Sequence, residues 1–566
     1  MAAARLPRLI ASPVDGVDYQ ETSFSVDVVG RSVCNTWDEA TTNPNFDAVV
    51  IGSGMFGAYC ANKLFRDAKV KRTLLLEAGL FLVAEHFQNL SNIGLNVPDP
   101  MDPADDNGLP REIVWRMPWR GNNSFVGTPY CVGGKSVYWG GWCPRLTDDD
   151  LSAWPPTVAR YLKDNYHRLE EQLGVSDRTD FIQGSLYEAM LAKAKTVRPQ
   201  VPRLATVEPP PLAVLGRGPA SGLFSFNKYS SLPLLISAIR DAIGEVGGDD
   251  ARRRLFLVPR AQVVKLHTSG GMVRCIEVYV NKQQRFLDIA PHCAVVLALG
   301  AIESTRIALG SFPTTPNPTD EKMGRNLTVH MRSTTTVQIR RSALETPGRP
   351  LKEKLQTAAL LVRGETSDGH FHLQVTAADD RQGDSDGLLF RMVPDMDLLE
   401  KILDAQNADF VAVTFRGCAE TKGVKDQPIG NTALRWIDLS PFERDEFGFR
   451  RAFVNLTINA AEARLWNAMD AATIELARKL ANDQNTAIRL ISSSRDGLGT
   501  TYHESGTLWM GDSPAKSVTN ANGRFHHVAN AYCVDQALFP SAGSANPTLT
   551  GLTLTRKIAE HIATLE

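Results

Sequence analysis

The sequence predicts an α/β protein: a parallel-sheet domain that is discontinuous along the chain, with an inserted α+β domain containing an antiparallel sheet. Three observations support this fold class. Near the start, an apolar run ends in glycines and leads into a helical segment and a second apolar run. Near the end, another strand-like run precedes a closing helix. Between them, residues 331–490 mix alternating patterns, typical of a half-buried sheet, with helical ones.

The first element in the chain is a strand–helix–strand unit. Residues 46–51 (FDAVVI) are apolar enough for a buried parallel strand. Residues 57–69 follow as a helix, and residues 73–77 (TLLLE) form the second strand. Together they make one βαβ unit of the usual length, which places the glycines between the first strand and the helix.

The turn of this unit carries the pattern G-x-G-x-x-G. Gly52 allows the tight turn, Gly54 lets the backbone approach a pyrophosphate, and Gly57 lets helix and strand pack closely. Glu77 stands about 20 residues further on, where a carboxylate binds ribose hydroxyls and repels the 2′-phosphate of NADP. The unit therefore predicts a Rossmann-like dinucleotide site, and this fingerprint by itself fits NAD and FAD alike.

Further along, proline-rich stretches separate elements of a different kind. The sequence WPP at 154–156 opens a helix, and residues 201–211 (VPRLATVEPPP) form a linker or surface loop. Strand-like runs follow between residues 255 and 299. The tail returns to a strand-like run at 531–538 and a closing helix at 551–565, so both ends of the chain carry features of the nucleotide fold.

The composition narrows the classes of function. A chain of 566 residues is long enough for two to four domains and for burying a large cofactor. The 61 Lys and Arg residues nearly cancel the 63 Asp and Glu residues, so we expect no nucleic-acid partner. No apolar run reaches the roughly 18–20 residues of a membrane span. The start, MAAARLPRLI, lacks the apolar core of a secretory signal, and we expect a cytoplasmic protein.

The cysteine and histidine patterns predict no metal site. The 8 cysteines are scattered without a C-x-x-C pair, which argues against a zinc ribbon, a redox dithiol or a disulfide framework. The adjacent His526 and His527 follow a probable turn, and no carboxylate or cysteine stands at ligand spacing beside them. We interpret both as surface or supporting residues.

Several further segments complete a resemblance to a known family. They are GGKSVYWGG at 133–141, VVLALGAIES at 295–304, GRNL at 324–327 with His330, HESGTLWMG at 503–511, Asp535, and NPT at 546–548. Together with the first glycine-rich turn and LLLEAG at 74–79, they resemble the glucose–methanol–choline (GMC) oxidoreductases, in the family's order. The resemblance covers about residues 46–330 and 495–566.

This resemblance implies a flavoprotein that binds FAD and oxidises CH–OH groups. It adds to Gly52, Gly54, Gly57 and Glu77 a set of cofactor-binding positions: Gly134, Ser136, Trp139, Val263, Asp535, Pro547 and Thr548. The nucleotide-fold features at both ends of the chain, with a different middle, predict the domain division. Residues 1–44 are an N-terminal arm; 45–150, 251–330 and 520–566 form the FAD-binding domain; 151–250 and 331–519 form the substrate-binding domain.

Within the family, the segment 133–146 (GGKSVYWGGWCPRL) is most similar to pyranose 2-oxidases and their bacterial relatives that act on sugars or glycosides. The histidine that carries flavin covalently in pyranose oxidases falls on Tyr138, so we expect FAD to be held non-covalently. A threonine two positions later becomes Gly140, which leaves the electron acceptor open between dioxygen and a quinone.

The resemblance also implies the catalytic pair. Hydride leaves an alcohol carbon more easily when the hydroxyl proton is being removed, and histidine is a base suited to neutral pH. His503 lies in the segment that matches the family's catalytic loop, and Asn546 matches its second position, which is His or Asn. We therefore expect His503 to act as general base and Asn546 to position the alcohol.

The function predicted from these residues is FAD-dependent oxidation of a secondary hydroxyl of a sugar or glycoside to a ketone. Trp139, Trp142 and Tyr502 are candidates for stacking on sugar faces, or for core packing. The alternative is a GMC-type oxidase or dehydrogenase of a non-sugar alcohol (sterol, choline-like or aliphatic). Two alternatives belong to other functional classes: a non-catalytic flavin-binding protein and an NAD-dependent dehydrogenase.

Overall fold

The computed structural model describes most of the chain. The described residues are 30, 32–67, 71–86, 115–176, 184–215, 227–247, 249, 252–313, 321–345, 350–351, 355–380, 409–427 and 430–565. The helices are α1 Trp37–Thr41, α2 Met55–Asp67, α3 Pro156–Leu173, α4 Ser185–Val197, α5 Ser231–Val246, α6 Ala301–Ser311, α7 Arg341–Leu344, α8 Ala460–Leu480 and α9 Thr548–Ala563.

The strands divide among several sheets. The parallel sheet contains β1 Ala48–Ile51, β2 Thr73–Leu76, β10 Leu255–Val258, β14 Ala294–Leu297 and β22 Ala531–Cys533. The large antiparallel sheet contains β7 Leu204–Glu208, β15 Met331–Arg340, β16 Leu355–Thr366, β17 Gly369–Asp380, β18 Phe410–Ala419 and β21 Ile488–Arg495. The smaller sheets contain β3 Trp115–Arg116, β4 Arg120–Gly121, β5 Thr128–Pro129, β6 Val175–Ser176, β8 Leu212–Leu215, β9 Asn227–Lys228, β11 Ala261–Ser269, β12 Met272–Val280, β13 Gln283–Asp288, β19 Trp436–Arg444 and β20 Arg450–Asn455.

The parallel sheet has the strand order β10-β2-β1-β14-β22, and its strands come from distant parts of the chain. Every residue of β1, β2, β10 and β14 is buried, as expected of short apolar strands covered on both faces. Parallel strands place all their carboxyl ends at one edge. The loops that follow β1, β2, β14 and β22 therefore meet there, and they contain Gly52, Gly54, Glu77 and Asp535 of the predicted cofactor residues.

The large antiparallel sheet has the order β21-β15-β18-β17-β16-β7. One face packs against α4 and α8, where Phe371 and Leu373 of β17 join Leu465 and Met469 of α8 in one apolar cluster. Because side chains alternate along a strand, the residues between them point to the other face. That second face is polar, and it supplies side chains to the site described below. The predicted mixed fold, with a discontinuous parallel sheet and an antiparallel sheet, is confirmed.

The element boundaries differ slightly from those the sequence suggests. The predicted strand at 531–538 ends at Cys533, because the Asp535 side chain accepts the Ala537 N–H and caps a short 3₁₀ turn, Gln536–Leu538. The closing helix begins at Thr548, immediately after Pro547, whose fixed φ suits a helix start. Within the described residues, no helix is both long and apolar enough to cross a membrane.

The predicted domain boundaries stay a prediction, and the packing adds detail to them. Part of the N-terminal arm is ordered as α1, which opens with a capping box between Thr36 and Glu39 and buries Trp37. Trp509, from the segment assigned to the second domain, lies in the apolar cluster that surrounds the parallel sheet. Helix α3 also contributes to that cluster through Leu162.

Candidate active site

In the first glycine-rich turn, two glycines are required by the local structure and the third faces open space. A Cβ atom on Gly52, whose φ is +97°, would lie 2.6 Å from the carbonyl oxygen of Ala298. A Cβ on Gly57 would lie 1.8 Å from the carbonyl oxygen of Gly52, so the turn and helix α2 require both glycines. A Cβ on Gly54 would meet no protein atom within 4 Å. The space in front of α2 at Gly54 fits the close approach of a pyrophosphate to a helix N-terminus.

Glu77 ends the second strand of the sheet in a fixed orientation. Its Oε2 accepts the backbone N–H of Ser53 at 2.9 Å and the Ser53 hydroxyl at 2.7 Å, and its Oε1 accepts the Gly79 N–H at 2.8 Å. Burial raises the pKa of this carboxyl, while the hydrogen bonds from Ser53 and Gly79 lower it. An oriented carboxylate at this edge fits the hydroxyls of a ribose.

The second glycine-rich loop touches the first. Gly134 opens a 3₁₀ turn, Gly134–Val137, and a Cβ on it would lie 2.9 Å from the Cα of Gly54. The Ser136 hydroxyl donates to the Gly133 carbonyl at 2.6 Å, and the Trp139 indole N–H donates to the Tyr229 carbonyl at 2.7 Å. Ser136 thus binds within its own loop, and Trp139 binds the backbone next to β9.

A second open position lies at the turn after β14. Gly300, with φ +79°, has no protein atom within 4 Å of a Cβ placed on it. Asp535 fixes this turn, because its Oδ2 accepts the Gly300 N–H at 3.0 Å and the Ser304 hydroxyl at 2.6 Å. Val263 lies two residues along β11 from Ala261, whose N–H donates to the Glu77 carbonyl at 2.8 Å. The donor chemistry and the two open glycines fit a dinucleotide that spans this edge.

The predicted catalytic histidine is placed by pairing between two distant segments. Thr328 and Ser505 exchange backbone hydrogen bonds of 3.0 and 2.9 Å in an antiparallel bridge. Two residues beyond Thr328 and two residues before Ser505, the register brings His330 opposite His503. Their Nδ1 atoms are 2.8 Å apart, and the His330 Nε2 lies 2.9 Å from the Gly543 carbonyl oxygen.

The structure brings Asn546 to the other nitrogen of His503. The Asn546 Nδ2 lies 3.4 Å from the His503 Nε2. On its other side, the Asn546 Oδ1 accepts a hydrogen bond of 2.8 Å from the Gln374 amide, and the same Gln374 nitrogen lies 3.1 Å from the His372 Nε2. The two predicted catalytic residues are therefore neighbours within one hydrogen-bonded chain of side chains.

His372 and Gln374 are missing from the predicted site, and both come from the part of the chain that had no motif. They occupy alternate positions of β17, between the apolar residues that face α8. The alternation of polar and apolar residues at 371–375 indicates a strand with one polar face. The sequence pattern gives that face no position relative to Asn546, so this contact could be found only from the fold.

Burial keeps the histidines of the site neutral. It lowers the pKa of His503 well below its usual value, and the neighbouring His330, Arg332, His372 and Lys135 lower it further as positive charges. Burial also lowers the pKa of His330, to about 4. At neutral pH the site thus holds uncharged imidazoles, and an uncharged imidazole has a nitrogen lone pair that can accept a proton.

The aromatic candidates have different environments. Trp142 is buried among Leu212, Val214 and Leu361, so it is a core residue. Tyr502 is next to His503 and makes an edge-to-face contact with Tyr138, with ring centroids 6.5 Å apart. The Lys135 ammonium lies 4.5 Å from the centre of the Tyr502 ring.

Within the described residues, ligand-type atoms come together in two groups, one of His330, His503 and Cys418 and the other of Asp150, His370 and Glu420. His526, predicted to be a supporting residue, contacts the Ser517 hydroxyl through its Nε2 at 2.9 Å. His330, His503 and Cys418 have ligand-type atoms within 4.8 Å of one another. The 2.8 Å between the two imidazole nitrogens is, however, the length of a hydrogen bond. We retain the prediction of no metal at this site.

Comparisons with known proteins show which proteins the chain is similar to. Residues 436–555 match the family model of the C-terminal part of the GMC oxidoreductases. The chain is 25% identical over 586 residues to 6'''-hydroxyparomomycin C oxidase of Streptomyces lividus, which covers 93% of both chains. A segment of 48 residues is 48% identical to paromamine 6'-oxidase of Streptomyces fradiae, and covers 8% of this chain and 9% of that protein.

Among solved structures, pyridoxine 4-oxidase from Mesorbium loti shares the fold. Its TM-score is 0.56 at 16% identity, and the match covers 91% of this chain and 99% of that chain. The predicted family and enzyme class are therefore confirmed. Residues 436–555 thus correspond to the C-terminal domain of the GMC oxidoreductases, a family of flavoproteins, and the comparisons support an oxidoreductase that acts on CH–OH groups.

Proposed function

We propose that the protein oxidises a secondary hydroxyl of a sugar or glycoside to a ketone, with non-covalently bound FAD as the hydride acceptor. In this proposal His503 is the general base and Asn546 positions the alcohol. The observation that carries it is the 3.4 Å contact between the His503 Nε2 and the Asn546 amide, beside a sheet edge shaped for a dinucleotide. A base and a hydrogen-bond donor thus converge where one alcohol group can touch both.

Asn546 presents its donor end to the substrate. Its Oδ1 already accepts the Gln374 N–H, which leaves the NH₂ group directed to the His503 side. When the alcohol oxygen lies between the two side chains, the Asn546 N–H donates to it. That hydrogen bond strengthens as negative charge builds on the oxygen, so it stabilises the transition state more than the bound alcohol.

His503 takes the hydroxyl proton. Because burial keeps its imidazole uncharged, the base is in its active form throughout the neutral range. General-base assistance of this kind is typically worth about 10²–10⁴ in rate. The low basicity of a buried imidazole also means that it returns the proton easily once the ketone has left.

The residues at the sheet edge hold the cofactor in this proposal. Gly54 and Gly300 admit the pyrophosphate, Glu77 binds a ribose, and α9 presents its N-terminus at Thr548 to the ring. Bound there, FAD supplies an acceptor for the hydride. Tyr138 stands where a pyranose oxidase has the flavin-linking histidine, so acid precipitation is expected to release the yellow chromophore into the supernatant.

The substrate class is supported by the relatives and by the polar face of the large sheet. Both curated relatives are oxidases named after aminoglycosides, which are sugar derivatives. Beside Gln374, the register of β15, β17 and β18 places hydroxyl side chains on the same face: Thr334, Thr336, Thr376 and Thr414. A polyol finds hydrogen-bond partners on such a surface, whereas a sterol needs an apolar one. The electron acceptor in this proposal is dioxygen or a quinone.

The decisive experiment is anaerobic mixing of the enzyme with a panel of alcohols while flavin bleaching is followed. Glycosides and monosaccharides are expected to bleach the flavin, and sterols, choline and simple alcohols are not. The His503→Ala variant is expected to keep the bound-flavin spectrum and lose the bleaching. The matched control is His526→Ala, which removes a histidine that contacts Ser517 instead of the site. Near wild-type bleaching by His503→Ala would contradict the proposed base. Bleaching by a sterol or a simple alcohol alone would favour the non-sugar alternative.

A further inference from the structure

We infer that His330 is a positioning residue that fixes His503 in the tautomer with its proton on Nδ1, so that Nε2 is the base. This inference rests on the proposed role of His503 and adds the group that orients it. The groups form one hydrogen-bonded chain: the Gly543 carbonyl oxygen, the two nitrogens of His330, the two nitrogens of His503, and the Asn546 amide.

The Gly543 carbonyl sets the proton positions. A carbonyl oxygen only accepts hydrogen bonds, so the His330 Nε2, 2.9 Å away, must carry a proton. An uncharged imidazole has one N–H, and the His330 Nδ1 is therefore an acceptor. The His503 Nδ1, at 2.8 Å, must then be the donor. His503 holds its single proton on Nδ1, and its Nε2 carries a lone pair.

Both imidazoles are uncharged at neutral pH, so each ring carries a single N–H. His330 is 1% exposed, and burial lowers its pKa to about 4. Burial also lowers the pKa of His503 well below its usual value. At neutral pH, each imidazole thus has one donor and one acceptor nitrogen.

The contact at the Asn546 end of this chain favours the same tautomer of His503. Gln374 donates to the Asn546 Oδ1, so the Asn546 NH₂ faces the His503 Nε2. A donor is suited to a nitrogen lone pair and not to an N–H group. The opposite tautomer of His503 would set donor against donor at Asn546 and acceptor against acceptor at His330. The fold thus excludes it from both sides.

His330 keeps this role while the proton moves. The alcohol O–H proton passes to the His503 Nε2, and the Nδ1 proton stays on His503. The imidazolium formed in this way donates from Nδ1 to the neutral His330 Nδ1. A neutral acceptor stabilises the cation less than a carboxylate would.

The tautomer can be measured without turnover. Nitrogen NMR of the holoenzyme with ¹⁵N-labelled histidine distinguishes a protonated from an unprotonated ring nitrogen, and the His503→Ala spectrum assigns the signals. We expect a protonated Nδ1 and an unprotonated Nε2 on His503 at pH 7.5. The reverse pattern would overturn the inference. This result stands whether or not His503 is the base, so failure of the proposed function is recognised separately, by flavin bleaching in His503→Ala.

Variants of His330 test the role in catalysis. His330→Asn places an amide oxygen near the position of Nδ1 and retains an acceptor, whereas His330→Leu retains bulk without an acceptor. We expect His330→Leu to slow flavin reduction roughly 10- to 100-fold at unchanged substrate affinity, and His330→Asn to slow it only a few-fold. Equal losses in both variants would indicate a merely structural role and overturn the inference.

A third variant gives a shift that loss of packing would not produce. His330→Asp offers a charged acceptor to the His503 Nδ1, which favours the imidazolium. We expect the acid limb of the pH profile of flavin reduction to move to higher pH relative to wild type. Bound-flavin spectra and melting temperatures of all three variants report whether each has folded. An unmoved acid limb in folded His330→Asp would count against the hydrogen bond to Nδ1.

Discussion

A methyl group at residue 54 is expected to weaken cofactor binding while leaving the protein folded. Gly54 has open space on the side where a Cβ would stand, and its φ is not in the left-handed region. Gly54→Ala therefore creates no clash in the cofactor-free protein. By comparison, a Cβ on Gly57 would be 1.8 Å from the Gly52 carbonyl oxygen, so Gly57→Ala is expected to disrupt the turn itself.

The size of the effect follows from the space the methyl group occupies. Pyrophosphate oxygens must come within about 2.7–3.2 Å of backbone N–H groups to accept hydrogen bonds. The new methyl keeps heavy atoms about 3.5 Å away. One or two hydrogen bonds to a charged group are then lost or lengthened, at about 1.5–3 kcal/mol each. A total loss near 3 kcal/mol corresponds to FAD binding weakened about 100-fold.

The assay is a titration of cofactor-free protein with FAD, followed by flavin fluorescence, together with the melting temperature of the cofactor-free form. The matched control is Gly244→Ala in α5, because its Cβ also meets no protein atom within 4 Å and it lies on the exposed surface. We expect Gly244→Ala to bind FAD like wild type. Wild-type affinity in Gly54→Ala, with an unchanged melting temperature, would refute the placement of the pyrophosphate.

The remaining predictions concern the ribose contact, the amide of the catalytic chain and two effects of pH. Glu77→Gln turns an acceptor of several N–H and O–H groups into a partial donor, so FAD titration should show at least about tenfold weaker binding. Gln374→Leu frees the Asn546 amide to rotate, and flavin-reduction kinetics should show roughly tenfold slower reduction while FAD remains bound. Because the pKa of His503 is lowered, kcat/KM should stay level as pH falls through about 6.5 and decline only at lower pH. The folded pKa of His330, about 4, lies below the unfolded value of 6.5, so the unfolded state binds more protons between these values. We therefore expect His330 to lower the free energy of unfolding by about 3 kcal/mol between pH 6.5 and pH 4. Acid melting curves of His330→Asn should lack this decrease.

Much of the cofactor region could be predicted from local sequence. The apolar runs at 46–51 and 73–77 become adjacent buried strands, and the glycines fall at the turn between strand and helix. These features are local, because a short apolar strand, a turn that needs Gly52 and the start of α2 depend on neighbouring residues. The family resemblance then supplied the other cofactor positions and the pair of His503 and Asn546.

The environment of the catalytic pair depends on contacts that sequence spacing does not reveal. His330 and His503 are 173 residues apart, and Gln374 and Asn546 are 172 residues apart. His330 belongs to a recognised motif, yet nothing in that motif indicates which nitrogen meets His503. Gln374 lies in a strand with no motif at all.

By itself, the sequence determined the fold class and the glycine-rich turn, and it led to His503 and Asn546 as the proposed catalytic pair. Only the tertiary structure decided which groups surround them: a carbonyl oxygen behind His330, His330 behind His503, and Gln374 behind Asn546. The physical reason is that strand register, set by many backbone hydrogen bonds and by burial of the opposite face, determines which of these distant side chains meet.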